Sequence, residues 1–221
     1  MGACAVVAAI VVAIAISLSH SNSGPTAKSL AADTASTGAL LDGIPQDGIS
    51  LGSPSAPVTV TEFADLQCPF CRQYSEKVFP TVVRDYVRTG KVRMVFRGLS
   101  FIGADSIVAA RAAGAASQQN RLWQFVDVFY KNQQDENSGY VRAPFLRQIG
   151  GAAGLDVAKL ERDATSETVA KQLTDANGEA DRLGVKSTPT IVVSKAGQQP
   201  VKLKSPSLGD LRSKLDAALG T

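Results

Sequence analysis

Histidine is almost absent from this 221-residue chain, and cysteine is scarce. The single histidine, His20, lies before the segment that reads as a folded domain, and the three cysteines are Cys4, Cys68 and Cys71. A domain without histidine cannot run a histidine-dependent nucleophilic triad. It also lacks the donors of a tetrahedral zinc site, which takes four protein groups or three and a water. No glycine-rich phosphate loop, zinc-protease motif or nucleophile-elbow serine is present. The charges nearly balance, with 23 basic and 20 acidic residues and a formal net charge of +3. The densest basic stretch, Arg84, Arg88, Lys91, Arg93 and Arg97, is interrupted by Asp85. It reads as a solvated helix face running into a strand, not as a nucleic-acid site.

Against that scarcity stands Cys68-Pro69-Phe70-Cys71. The pair follows a strand-like stretch, Pro57 to Phe63, and opens a helical one. Strand, CxxC, helix is the context in which two thiols read as a redox pair. Two intervening residues at a helix start let the sulfurs reach disulfide distance without distorting the backbone. The first sulfur then sits by unpaired backbone N–H groups and the positive end of the helix dipole, which favour thiolate. That makes Cys68 the expected reactive thiol, both a nucleophile and a good leaving group near neutral pH. Pro69 suits the first helical position, where a missing N–H costs nothing. A purely structural disulfide here would close too small a loop to restrict the unfolded chain much.

The N-terminus speaks to compartment. Ala3 to Leu18 is sixteen residues without a charge, between a secretory apolar region and a spanning helix of about 20 residues. Residues 1–20 are expected to be an uncleaved membrane anchor or, alternatively, a signal cut before His20. No Lys or Arg precedes the run, which is unusual for either. Cys4 lies ahead of the apolar residues, the wrong order for a lipoprotein cysteine, and position six lacks the Ser or Thr of myristoylation. It reads as a small apolar residue of the membrane segment. Residues 21–38, rich in Ser, Ala, Thr and Gly, read as a flexible linker, and 39–221 as one domain.

Along that domain, Val58, Val60 and Phe63 interleave with Thr59 and Thr61 as a strand, with a slip in the alternation. Val78 to Val87 repeats at helical spacing, with Pro80 expected to kink the helix. Lys91 to Arg97 alternates as a second strand. Ala104 to Ser117 predicts an alanine-rich helix, and Leu122, Trp123, Val126, Phe129 and Tyr130 make one apolar helical face. Phe145 to Ile149, Leu155 to Ala164 and Val169 to Leu183 add shorter helices. Thr190 to Val193 and Val201 to Leu203 form a hairpin around Ala196-Gly197, and Leu208 to Leu219 a closing helix.

That order, with Glu62-Phe-Ala-Asp-Leu-Gln-Cys-Pro-Phe-Cys71, Leu122-Trp123 and Ser187-Thr188-Pro189-Thr190, resembles the DsbA-like thiol:disulfide oxidoreductases. The likeness covers about Leu41 to Leu219. It implies an α/β thioredoxin fold with a helical insertion at about 103–183, no cofactor and no metal. It also implies a cis bond before Pro189, in a loop beside the CxxC whose Thr188 backbone pairs with a bound substrate strand. Pro69, Phe70, Thr188 and Pro189 are the implied substrate contacts. Glu62, six residues before Cys68, matches a buried acid of the family. Desolvation would raise its pKa and let it relay the proton of Cys71. One departure stands out: strong oxidants of the family carry histidine where this chain has Phe70, so the Cys68 pKa is expected to be less depressed.

The reading is an extracytoplasmic thiol:disulfide oxidoreductase, anchored to the cytoplasmic membrane or secreted, that forms disulfides in exported proteins. Cys68 takes the mixed disulfide and Cys71 resolves it; a membrane partner for reoxidation is implied by the resemblance. Two rivals stay open. The same residues could serve a reductase or isomerase. The groove could instead belong to a non-catalytic binding or metal-delivery protein, the latter weakened by the missing histidine.

Overall fold

The computed structural model describes residues 24–220, so the expected anchor or signal at 1–20 lies outside the described residues. Among those described, no helix is long and apolar enough to cross a membrane. A six-stranded sheet runs through the domain in the order β1-β2-β4-β3-β5-β6. The strands are β1 (Gln46–Asp47), β2 (Ser50–Leu51), β3 (Val58–Ala64), β4 (Val92–Gly98), β5 (Thr190–Lys195) and β6 (Val201–Lys204). β3 pairs in parallel with β4 and antiparallel with β5, so both its edges are occupied.

Both faces of β3 are covered, and the alternation does not slip. Val58, Val60 and Ala64 join the main core cluster with Met94, Phe96, Ile191 and Val193. Phe63 points the other way, into a second cluster with Leu99, Ala176, Ala180, Val185 and Val192. The strand period of two therefore puts Glu62 on the main-cluster face. Phe63 seemed out of phase only because one apolar face was expected where there are two.

Residues 27–38 of the expected linker are helical instead. Helix α1 (Ala27–Leu41) opens on a capping box between Thr26 and Ser29 and buries Thr37 and Leu41. Its C-terminal carbonyls are claimed by Arg88, which donates to Leu40 O at 2.7 Å and Asp42 O at 3.0 Å. Composition suggested a tether because Ala, Ser and Thr carry little periodic signal. A local cap at its start and tertiary contacts along its second half, from Asp33 to Leu40, decide the matter.

Pro80 does more than kink. Helix α2 (Pro69–Lys77) stops at Val78, and a separate short helix α3 (Phe79–Val82) carries Pro80 in its first turn. Proline has no N–H for the carbonyl four residues back, so one continuous helix is not sustained. A π-helical turn, Val83–Val87, leads on to β4. Between β4 and β5 come α4 (Ala104–Ser117), α5 (Leu122–Lys131), α6 (Ala143–Ala152), α7 (Val157–Asp163) and α8 (Glu167–Arg182). This is the helical insertion of the fold. Helix α9 (Leu208–Leu219) closes the chain.

Helix α5 was expected to show one apolar face, yet all of Leu122 to Tyr130 is buried, Gln124 and Asp127 included. It packs among α1, α2, α4 and α6. Trp123 stacks on Phe79 with centroids 5.4 Å apart and meets the edge of Phe96 at 6.0 Å. The buried Asp127 carboxylate accepts from Thr37 Oγ1 and from Lys131 Nζ. Replacing Thr37 with Val keeps the shape and removes two hydrogen bonds, the one to Asp127 and the one Thr37 Oγ1 accepts from Lys131 Nζ at 3.0 Å. A loss of about 1–2 kcal/mol is expected in chemical denaturation, and an unchanged midpoint would detach α1 from the cooperative unit.

Candidate active site

β3 delivers the site. Its C-terminal end runs into Asp65, whose side chain is fully buried. Oδ1 of Asp65 accepts from Gln67 N at 2.9 Å, and Oδ2 accepts from Phe101 N at 2.7 Å and Ile102 N at 3.1 Å. The Asp65 carbonyl accepts from Cys68 N at 3.0 Å and from the Tyr130 hydroxyl at 3.2 Å. Gln133 Nε2 donates to Leu66 O at 2.7 Å and Cys68 O at 3.2 Å. The turn is thus pinned from the β4–α4 loop and from the helical insertion at once.

Cys68 is the N-cap residue of α2, with extended backbone, and Pro69 takes the first turn. Both cysteines are free thiols. Cys68 keeps 5% exposure while Cys71 has none, so only Cys68 can meet an external sulfur. Cys68 Sγ donates to Thr188 O at 3.4 Å. The Thr188–Pro189 peptide bond is cis, and Thr190 starts β5 opposite Phe63.

The two thiols titrate apart. The Cys68 pKa is lowered to about 6, first by a hydrogen bond from the Cys71 thiol, against the opposing effect of burial. The Thr188 side chain and the N–H groups of Phe70 and Cys71 favour the thiolate less strongly. Backbone donors at the helix start were expected to lead; the neighbouring thiol leads instead. Cys71 is pushed well above its ordinary range by burial, then by its bond to Cys68. Phe70 offers the sulfur no polar side-chain atom, and the pKa falls without one.

Glu62 sits 2% exposed on the sheet face below the cysteines. Its paired neighbours are Phe96 on β4 and Ile191 on β5, both apolar. Burial lifts its pKa from 4.5 to about 8, so it is largely protonated at neutral pH. Phe70, 61% exposed, and Pro189 line a groove of about 350 Å³ with Gln73, Tyr74, Lys77 and Ser205 to Leu208. Cys68, Cys71, Glu62, Pro69, Phe70, Thr188 and Pro189 therefore gather around the C-terminal end of β3 and the start of β5. Among the described residues no group of three or more His, Cys, Asp or Glu side chains could hold a metal.

Other residues of this region carried no signal of their own. Asp65 and Gln67 stand in the stretch that leads to Cys68, where nothing in the sequence sets their side chains apart. Tyr130, Gln133 and Tyr140 reach it from the insertion, the last through Gln67 Nε2 at 2.8 Å. Only the fold brings them within reach.

The chain matches the family model described as Thioredoxin over residues 45–204. It is 29% identical over 174 residues to the probable disulfide bond formation protein D of Bacillus cereus, covering 77% of this chain and 78% of that one. A thioredoxin-like oxidoreductase from Silicibacter pomeroyi DSS-3 superposes with a TM-score of 0.63 at 30% identity, over 83% of this chain and 98% of that one. Oxidised BdbD from Bacillus subtilis reaches 0.70 at 23% identity, over 80% and 98%, a likeness of fold.

The raised Glu62 pKa has a stability consequence. A carboxyl group whose folded pKa exceeds its unfolded value contributes stability below pH 4.5 that is lost as pH rises through about 8. Glu62→Gln removes that dependence. The variant is expected to match the wild type near pH 4.5 and exceed it above pH 8 by a few kcal/mol. The lowered Cys68 pKa acts oppositely, its contribution full above pH 9 and lost as pH falls through 6. It cancels to first order when the two proteins are subtracted. Parallel denaturation curves at every pH would mean that Glu62 does not titrate as stated.

Proposed function

With residues 45–204 matching its model, the chain belongs to the thioredoxin family, and we propose that it forms disulfides in exported proteins outside the cytoplasm. It is a thiol:disulfide oxidoreductase, and the carrying observation is the split between its two thiols. Cys68, at the rim and with its pKa near 6, is the sulfur an incoming thiolate reaches; Cys71, fully buried, stays beneath it. A substrate thiolate attacks Cys68 of the oxidised enzyme and displaces Cys71. A second substrate thiolate then attacks the substrate sulfur of the mixed disulfide, closes the substrate disulfide and releases Cys68. In the reverse direction Cys71 is the resolving thiol.

Glu62 is the buried acid that exchanges a proton with Cys71. Pro69, Phe70, Thr188 and Pro189 are the substrate contacts: Pro69 and Phe70 follow Cys68 in the chain, Thr188 O accepts from its thiol, and Phe70 and Pro189 line the groove. Protein substrates with free thiols or disulfides fit this open, half-apolar edge. The uncharged run from Ala3 to Leu18 supports export, with residues 1–20 as an anchor in the cytoplasmic membrane or a cleaved signal. A membrane redox partner would return the enzyme to its disulfide form.

Cys71→Ser is expected to accumulate mixed disulfides through Cys68, because the resolving thiol is gone. Mass spectrometry of adducts captured in cells identifies both the cysteine and the partners. Adducts on cytoplasmic proteins alone, or adducts through Cys71 only in the converse variant, would reverse the assignment.

The exposed Phe70 bears on direction. Phe70→His places a donor beside the thiolate, which should lower the Cys68 pKa further and stabilise the reduced enzyme. The potential should then rise by roughly 30 mV for each 1.4 kcal/mol of thiolate stabilisation. Thiolate absorbance and equilibration with glutathione measure both quantities. A fallen pKa with an unmoved potential would separate thiolate stability from redox poise in this protein.

A further inference from the structure

Glu62 has to change charge in an apolar layer. Across the sheet it faces Phe96 and Ile191, and along its own strand Val60 and Ala64 share its face. The polar side chains entering that layer come from the helices above it. α2 brings Cys68, Cys71 and Tyr74, α5 brings Tyr130 and Trp123, the latter against the edge of Phe96, and Asp65 lies at the end of the strand. Most of these groups are already committed. Cys68 and Cys71 hold each other, Asp65 holds three backbone N–H groups, and the Tyr130 hydroxyl donates to Asp65 O.

Trp123 Nε1 and the Tyr74 hydroxyl are left without a partner, and of the two only Tyr74 rides on the helix that starts at Cys68 and contains Cys71. Its side chain is 3% exposed and its hydroxyl, fully out of solvent, has no hydrogen-bond partner. A buried hydroxyl left unpaired costs on the order of 1–3 kcal/mol, so phenylalanine would be the more stable choice at this position. Tyr74 stands one helical turn after Cys71, and its ring also lines the groove that Phe70 and Pro189 border. Negative charge on Glu62 is felt at Tyr74.

We propose that Tyr74 is a positioning residue for the exchange reaction, its hydroxyl donating a hydrogen bond to the Glu62 carboxylate that forms when Glu62 gives its proton to Cys71. The inference rests on the exchange chemistry set out above. The step balances without any further reagent. A substrate thiolate attacks Cys68 Sγ, and the substrate–Cys68 bond forms as the Cys68–Cys71 bond breaks. Cys71 takes the electron pair of the broken bond and the proton of Glu62, leaving as a thiol. Glu62 is left as a carboxylate inside the core, where charge without a donor is costly. Resolution by Cys71 is the same step in reverse, with Glu62 taking the proton back. Tyr74 acts in both directions because it favours the ionised acid.

The test is Tyr74→Phe in the full chain, assayed by stopped-flow exchange with a dithiol peptide across pH 5–10, alone and combined with Glu62→Gln. The single variant is expected to fold with undiminished thermal stability and to form the mixed disulfide about two- to tenfold more slowly, the worth of one hydrogen bond. The inflection of its pH–rate profile that belongs to Glu62 should move upward, since losing a donor disfavours the carboxylate. In the Glu62→Gln background the second substitution should change nothing. A Tyr74→Phe profile that superposes on the wild type would overturn the proposal. So would an effect that persists at full size without Glu62. A wild-type protein that exchanges with no dithiol at all would sink the functional reading itself, and this inference with it.

Discussion

Asp65 is the fixed point of this molecule. One buried carboxylate and one backbone carbonyl receive five donors, from Gln67, Phe101, Ile102, Cys68 and Tyr130. Those donors belong to the turn before α2, the loop after β4 and the helical insertion. Three of the elements around Cys68 are thereby referred to the end of β3, the strand with neighbours on both edges. A carboxylate accepting several backbone N–H groups is among the stronger buried polar arrangements a protein can make. Its rigidity lets a helix N-terminus hold a sulfur at a set distance from Thr188.

From that geometry the electrostatics follow. The two thiols differ in pKa because one lies at the rim and receives hydrogen bonds, while the other lies underneath and gives one. Burial lifts Glu62 as well, so Glu62 and Cys71 are both largely protonated near neutral pH. A reaction that passes a thiolate through this site has to move a proton in the same place. The apolar neighbours Phe96 and Ile191 leave only the helices above the sheet to provide polar atoms for it.

Much of this was legible in residues next to one another. The CxxC at a helix start, the Thr188-Pro189 loop, the strands around residues 58–64, 92–98 and 190–195, and the bounds of α4 and α9 all follow from short-range pattern and from the resemblance those motifs carry. The errors share a physical cause. Residues 27–38 read as a linker because their composition is bland, yet a capping box and contacts with Arg88, Asp127 and Asn132 make them helix. Phe63 broke an expected alternation because α8 covers the face it points to. Helix α5 showed one apolar stripe, yet it is buried all round by four other helices.

By itself the sequence determined the local chemistry: which thiols are close and which of them heads a helix. Spacing alone decides these, since neighbours in the chain cannot move far apart. Tertiary structure alone decided the charge state of Glu62, the depth difference between Cys68 and Cys71, and the clamp on Asp65. Each depends on groups far away in the chain, Phe96 and Ile191 for Glu62, Thr188 for Cys68 and Phe101 for Asp65, and desolvation has no signature in a linear chain. A glutamate on a strand reads the same whether water or Phe96 lies beside it, and only the packed sheet makes that choice.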